Sequence, residues 1–254
     1  MLGSQRIEKS INDARQTGPA IIPFITAGYP KKESFLELIE ALSSCSDVIE
    51  IGVPFSDPMA DGVTIQRSSH MAIESGVKLK WIFEQLKLIQ INTPIVLMSY
   101  LNPLYVFDYN ELAKESKAAG VDGFIVPDLP IEEGDDLRQI LNNNDLGLIQ
   151  LVTPATPESR IKEIADKSSG FLYAVTVKGV TGGDKNLSDE VTTYLKKVKS
   201  LSPIPVCAGF GVRNIKDVKL LKPFVDGVII GSALVEAIDS GIKPIDFLSK
   251  LKTD

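Results

Sequence analysis

Eight short apolar runs, spread over the whole chain and separated by segments of helical period, constrain this sequence more than any other feature. They are Ala20–Thr26, Val48–Gly52, Ile95–Tyr100, Gly123–Val126, Leu146–Leu151, Phe171–Val175, Ile204–Ala208 and Gly227–Ile230. Most are apolar at every position rather than at alternate ones, the pattern of parallel strands covered on both faces. Between them, Phe35, Leu38, Ile39 and Leu42 share a helical face, as do Leu137, Ile140 and Leu141, and Val191, Leu195 and Val198. Asp189 and Asn214 are expected to cap helix starts, and Gly120 to follow a helix end. A further helix, about Ser4–Arg15, precedes the first run. Eight βα units in 254 residues fit a closed barrel better than an open sheet. The expected fold is α/β: a single (β/α)8 TIM barrel with an extra N-terminal helix, residues 1–254 forming one domain. No shift in composition marks a second one.

Several function classes are excluded early. The net charge of -6 argues against a nucleic-acid binder, which would show a basic face. No apolar run approaches the ~18 residues a membrane span needs. The opening segment has scattered charges and no apolar core, so it does not read as a signal peptide. Cys45 and Cys207 form no CxxC pair, which favours a reducing, cytoplasmic setting. His70 is the only histidine. That rules out a multi-histidine metal site and argues against a Ser-His-Asp triad, so no metal is expected.

Chemistry is expected on the long connections that follow strand C-termini, the catalytic face of a barrel. One runs from Val53 to about Gln66, the other from Thr176 to about Asp189. Glu50 stands inside the apolar run VIEIG, where an unpaired carboxylate is costly and tends to hold its proton. It reads as catalytic, or as a structural carboxylate paired with a buried hydroxyl or amide. Asp57 and Asp61 follow in GVPFSDPMADG. Turn chemistry accounts for Asp57 and is as good a reading of Asp61 as a functional one. Gly209-Phe210-Gly211 after the seventh run, and Gly231-Ser232 opening a helix after the eighth, form a two-part anion signal. Glycines admit close backbone N–H groups, and the helix start adds its dipole; tight turns are the plain alternative. Glycines in Gly179–Gly183 could add donors or act as a hinge. His70, Arg213 and the Lys196-Lys197-Lys199 run read as surface, and Trp81 and Phe83 as packing.

Taken together, these segments resemble the tryptophan synthase α-subunit family. The motif IEIGVPFSDPMADGVTIQ (Ile49–Gln66) carries the resemblance most specifically. PFITAGYP (Pro23–Pro30) precedes it, and MSYLNPLY (Met98–Tyr105), GVDGFIVPDLPIEE (Gly120–Glu133), GVTGG (Gly179–Gly183), AGFGV (Ala208–Val212) and GVIIGSALV (Gly227–Val235) follow it, so the matches run in order through almost the whole chain. The resemblance implies a retro-aldol cleavage of indole-3-glycerol phosphate to indole and glyceraldehyde 3-phosphate. It makes Glu50 the general acid/base, Asp61 the carboxylate at the indole N–H, Tyr173 the tyrosine beside the substrate, and Thr181 the loop threonine that orders over Asp61. Gly182, Gly211 and Ser232 match phosphate-binding positions, with Gly209, Phe210 and Gly231 beside them.

The implied partner is a pyridoxal-phosphate-dependent β subunit in an α2β2 assembly, with indole passed internally and no cofactor in this chain. The surface that meets it would include Asp57, Pro58, Asn102, Pro103 and Leu104. Thr176-Val177-Lys178 and Val63 depart from the family pattern, which affects loop detail rather than the two carboxylates. Two other readings stand beside this one. One is a barrel aldolase with a Schiff base on Lys178. The other is a non-catalytic activator of the β subunit.

Overall fold

In this computed structural model, which describes residues 1–175, 187–209 and 211–252, the apolar runs pair in chain order and close on themselves. The strands are β1 (Ala20–Thr26), β2 (Ile49–Gly52), β3 (Ile95–Met98), β4 (Gly123–Ile125), β5 (Gly147–Val152), β6 (Leu172–Val175), β7 (Val206–Gly209) and β8 (Gly227–Ile230). Every neighbour is parallel, and β8 returns to β1 through Ile22↔Ile229. The expected barrel is therefore present. β1 and β8 have the expected ends. β3 stops earlier because Tyr100 already caps the next helix. β7 starts later because the Ile204 N–H turns back to Ser202 Oγ (3.3 Å) and Pro205 has no N–H to give.

Twelve helices surround the strands among the described residues: α1 (Gly3–Ala14), α2 (Phe35–Ser43), α3 (Val63–Glu74), α4 (Leu79–Leu86), α5 (Leu101–Phe107), α6 (Tyr109–Ala118), α7 (Asp135–Asn143), α8 (Glu158–Lys167), α9 (Asp189–Leu201), α10 (Ile215–Leu221), α11 (Ser232–Asp239) and α12 (Pro244–Ser249). Asn214 caps α10 in a reciprocal box with Asp217. Asp189 does not cap α9. Ser188 does, its Oγ accepting from the Val191 N–H (3.3 Å), and Asp189 sits in the first turn, where the dipole favours acid. Gly120, at φ 73°, ends α6. Residues 176–186, most of the second long connection, lie outside the described residues.

Two apolar shells form the core. One lies between helices and sheet; the other fills the barrel, with Ile22, Phe24, Ile125, Ile149, Cys207 and Ile229 facing inward. α1 drives Ile7 and Ile11, both fully buried, into the barrel's lower end. Gly3 permits that seat: its N–H reaches Asp145 O at 2.7 Å, and a Cβ there would lie 2.3 Å from Asp122 O.

The same end carries a repeated clamp. A side chain one to three residues before each even-numbered strand accepts an N–H from the preceding odd strand: Asp47 from Ile21 (2.7 Å), Asp122 from Ile95 (2.9 Å), Ser169 from Leu148 (2.8 Å) and Asp226 from Val206 (2.9 Å). These bonds satisfy backbone donors that would otherwise be buried unpaired. Arg6 pairs with Asp122 (2.7 Å), and Arg15 and Lys199 both reach Asp226 (2.8 and 2.9 Å). Lys199 is therefore a structural cation rather than a freely solvated one. These bonds and ion pairs gather at the strand N-termini, opposite the rim where a barrel carries its chemistry.

Candidate active site

Glu50 lies on β2 in register with Phe24 of β1 and Val96 of β3, so its side chain shares their inward shell. It is 1% exposed, and its Oε2 has no hydrogen-bond partner among the described residues. Burial, and secondarily the charge of Asp61, push its carboxyl from an ordinary 4.5 up to about 8. A carboxyl in that state is neutral near pH 7 yet close enough to ionising to exchange protons.

Asp61 arrives from the rim. The loop 53–62 leaves β2 and ends at Gly62, the cap of α3. It is shorter than the spacing suggested because α3 begins at Val63. Pro58 O accepts the Asp61 N–H (3.1 Å), and Gln66 Nε2 donates to Asp61 O (2.9 Å). The Tyr100 hydroxyl donates to Asp61 Oδ2 (3.2 Å). Burial raises the Asp61 carboxyl to about 6, and the Tyr100 bond opposes that rise. The two carboxylates thus titrate apart, Asp61 below Glu50. Two neighbouring carboxyls with separated proton affinities are what acid and base roles require.

Tyr173 on β6 completes the group. Burial raises its hydroxyl well above 10, and the charges of Glu50 and Asp61 raise it further, so all three residues share one electrostatic neighbourhood. Gly209 makes room for the ring: a Cβ there would lie 2.7 Å from Tyr173 Oη. A narrow cleft beside these groups is lined by Phe24, Gly52, Asp61, Met98 and Tyr100.

The positions expected to bind an anion follow β7 and β8, at the strand C-termini. Gly211 sits at φ 64°, in the left-handed region that favours glycine. Gly231 caps α11, and Ser232 is its first residue. The first helical bonds return from Leu234 and Val235 to Gly231 O (2.9 and 3.1 Å), so the Ser232 and Ala233 N–H groups precede them. A Cβ on Gly231 would meet nothing nearer than Phe24 at 3.6 Å; protein packing does not demand glycine there. Arg213 turns away, bonding Glu236 Oε2 at 2.7 Å. Thr181, Gly182, Phe210 and Lys178 lie outside the described residues.

On the outer rim, Asp57 and Asn102 are exposed and Pro58 and Pro103 half-buried. Leu104 is different: it is 0% exposed and belongs to the core, so its side chain is not available to a partner. α5 instead turns Tyr105 and Val106 outward, and Met59 and Val63 stand exposed on the neighbouring segment. His70 is a surface residue 3.4 Å from Glu74. No metal-holding group of His, Cys, Asp and Glu occurs among the described residues, and no helix there is long and apolar enough to cross a membrane. Sequence reading missed Tyr100. Its position at a strand's C-terminal end, with an aromatic body and a polar tip, was the available signal.

Residues 11–252 match the family model described as tryptophan synthase alpha chain. The tryptophan synthase alpha chain of Nitratidesulfovibrio vulgaris is 41% identical over 251 residues, 97% of this chain and 98% of that one. A structure of tryptophan synthase from M. tuberculosis, in an open form with BRD0059 bound, superposes with a TM-score of 0.88 at 31% identity, covering 97% of this chain and 96% of that one. A structure from a study of mutual activation in the tryptophan synthase a2b2 complex of Pyrococcus furiosus gives 0.86 at 37% identity, covering 92% and 98%.

Proposed function

This chain belongs to the tryptophan synthase alpha chain family and catalyses that family's lyase reaction, cleavage of indole-3-glycerol phosphate; from that premise we propose that Glu50 is the general acid and base and Asp61 the carboxylate at the indole nitrogen. The observation that carries the assignment is Glu50 itself, a neutral, buried carboxyl with an unpartnered oxygen beside a second carboxyl of lower proton affinity.

In this mechanism Glu50 gives its proton to indole C3. The ring then carries positive charge, which ionised Asp61 stabilises at the N–H. The Glu50 carboxylate takes the proton of the glycerol hydroxyl, and the carbon–carbon bond breaks. Its electron pair flows back into the ring, releasing indole and glyceraldehyde 3-phosphate and leaving Glu50 neutral again. Tyr173 stands beside the substrate, and the apolar Phe24 and Met98 suit an indole ring. Backbone donors at Gly211, Gly231 and Ser232 hold the phosphate, with Gly182 and the Ser232 hydroxyl. The crowding-free approach to Gly231 supports this cradle.

The partner is the β subunit, in an α2β2 assembly like that named for the P. furiosus relative. It supplies the pyridoxal phosphate, and this chain's own step uses no cofactor. The face with Asp57, Pro58, Asn102 and Pro103, extended by Met59, Val63, Tyr105 and Val106, meets it. We read residues 1–254 as one domain acting in the cytoplasm.

The test is indole release by the purified chain across pH. The rate should fall on the acid side as Asp61 is protonated, near 6, and on the alkaline side as Glu50 ionises, near 8, the two limbs belonging to the coupled pair. A flat profile through that window would remove the pair from the mechanism. Inactivation by borohydride only in the presence of substrate would instead favour a Schiff base on Lys178.

A further inference from the structure

The Asp61 carboxylate is held by a residue to which neither the family motif nor the proposed reaction gives a task. Tyr100 stands two residues beyond β3, is 3% exposed, and presents its hydroxyl to the end of the loop 53–62. That hydroxyl accepts the Ala60 N–H at 2.9 Å and lies 3.2 Å from Asp61 Oδ2. An amide N–H can only donate, so the single phenolic proton is free for the carboxylate. The Tyr100 ring stacks on Phe55 at the other end of the same loop, with centroids 5.0 Å apart and planes at 27°. Phe55 is itself fixed by its N–H to Ser69 Oγ of α3 (2.9 Å). One side chain therefore grips the loop at both ends.

We propose that Tyr100 is a positioning residue for the lyase reaction, its hydroxyl fixing where the Asp61 carboxylate stands and hydrogen-bonding that carboxylate in its charged form. The inference rests on the proposed role of Asp61. The groups that face Asp61 supply no counter-charge. Glu50 on β2 is acidic, Tyr173 on β6 is a phenol, and Asp128 after β4 adds negative potential at Tyr100 itself. Among the described residues, the Tyr100 hydroxyl is the side-chain donor that reaches the Asp61 carboxylate, Gln66 bonding only the backbone carbonyl. A hydrogen bond to an ionised acceptor is among the stronger kinds, and here it stands in for the missing cation. The proton is needed for this, not the ring, so phenylalanine separates the role from packing.

The experiment compares wild type, Tyr100→Phe and Asp61→Asn by steady-state indole release from indole-3-glycerol phosphate across pH, with circular dichroism to verify folding. Tyr100→Phe should keep the fold and lower kcat by about 10- to 100-fold, the usual worth of one bond to a charged group. KM should change less than kcat. The acid limb of kcat/KM should move to higher pH, because the carboxylate has lost the donor that favoured its charged form. The carboxyl-carbon NMR resonance of Asp61 should titrate upward in the same variant. A Tyr100→Phe enzyme with kcat within about threefold of wild type and an unmoved acid limb, beside an inactive Asp61→Asn, would overturn this inference alone. Near-wild-type turnover by Asp61→Asn would overturn the Asp61 assignment and this inference with it.

Discussion

Replacing Glu50 by glutamine should stabilise the protein while inactivating it. In the folded chain the Glu50 carboxyl keeps its proton up to about pH 8, whereas the unfolded chain releases it near 4.5. Between those values the folded state binds the extra proton, so stability falls as pH rises, by about 1.4 kcal/mol per pH unit. The penalty reaches about 3 kcal/mol at pH 7 and levels off near 5 kcal/mol above pH 8. Glutamine has nearly the same shape and no charge at any pH, so it escapes the penalty. Both side chains bury polar atoms, and that desolvation cost largely cancels. The variant should gain up to about 3 kcal/mol at pH 7, more at pH 8.5, and less than about 1 kcal/mol at pH 5. At roughly 2–4 °C per kcal/mol for a chain of this size, the pH 7 gain is a clear shift in Tm. Urea unfolding of both proteins at the three pH values measures it, alongside a loss of indole release of about 10²–10⁴-fold. A variant no more stable than wild type at pH 8.5, or an advantage that does not grow with pH, would refute the buried, unpaired carboxyl as its source.

Two further outcomes test the opposite ends of the barrel. Gly211→Asp should abolish binding of glycerol phosphate analogues, since its side chain would stand between the backbone donors and the phosphate oxygens and would add a like charge, at a position whose φ of 64° favours glycine. Arg213→Ala, whose guanidinium is already taken by Glu236, should change that affinity by less than about tenfold; calorimetry giving the reverse ranking would replace the backbone cradle with a side-chain clamp. At the lower end, Asp122→Ala strips the partner from the Ile95 N–H and frees Arg6, at an expected cost of about 1–3 kcal/mol in urea unfolding. Turnover should be unchanged, and a drop in kcat without loss of stability would contradict the division between a structural floor and a catalytic rim.

Glu50 was legible because a charge inside an unbroken apolar run violates its own local pattern, and only a function or a dedicated partner excuses that. Asp61 was not, because Asp-Gly is good turn chemistry by itself. What distinguishes Asp61 is Tyr100, 39 positions away, and no local window contains both. β1 and β8 were read to their ends because their flanks change character sharply. The start of β7 was not, because Ile204 is as apolar as a strand residue while its N–H is spent in a turn. Leu104 shows the same limit. On a helix as short as α5 the apolar period is too brief to fix which face is buried, and Tyr105 and Val106, rather than Leu104, face outward.

The helix that precedes the barrel has a consequence for traffic. With Ile7 and Ile11 filling the lower mouth, the barrel is a cup rather than a pipe. Among the described residues, a small apolar product formed at Glu50 meets packed side chains below it and, on the rim above, the exposed Met59, Val63, Tyr105 and Val106. If the β subunit docks on that rim as proposed, one-way delivery to it begins with a stopper at the far end.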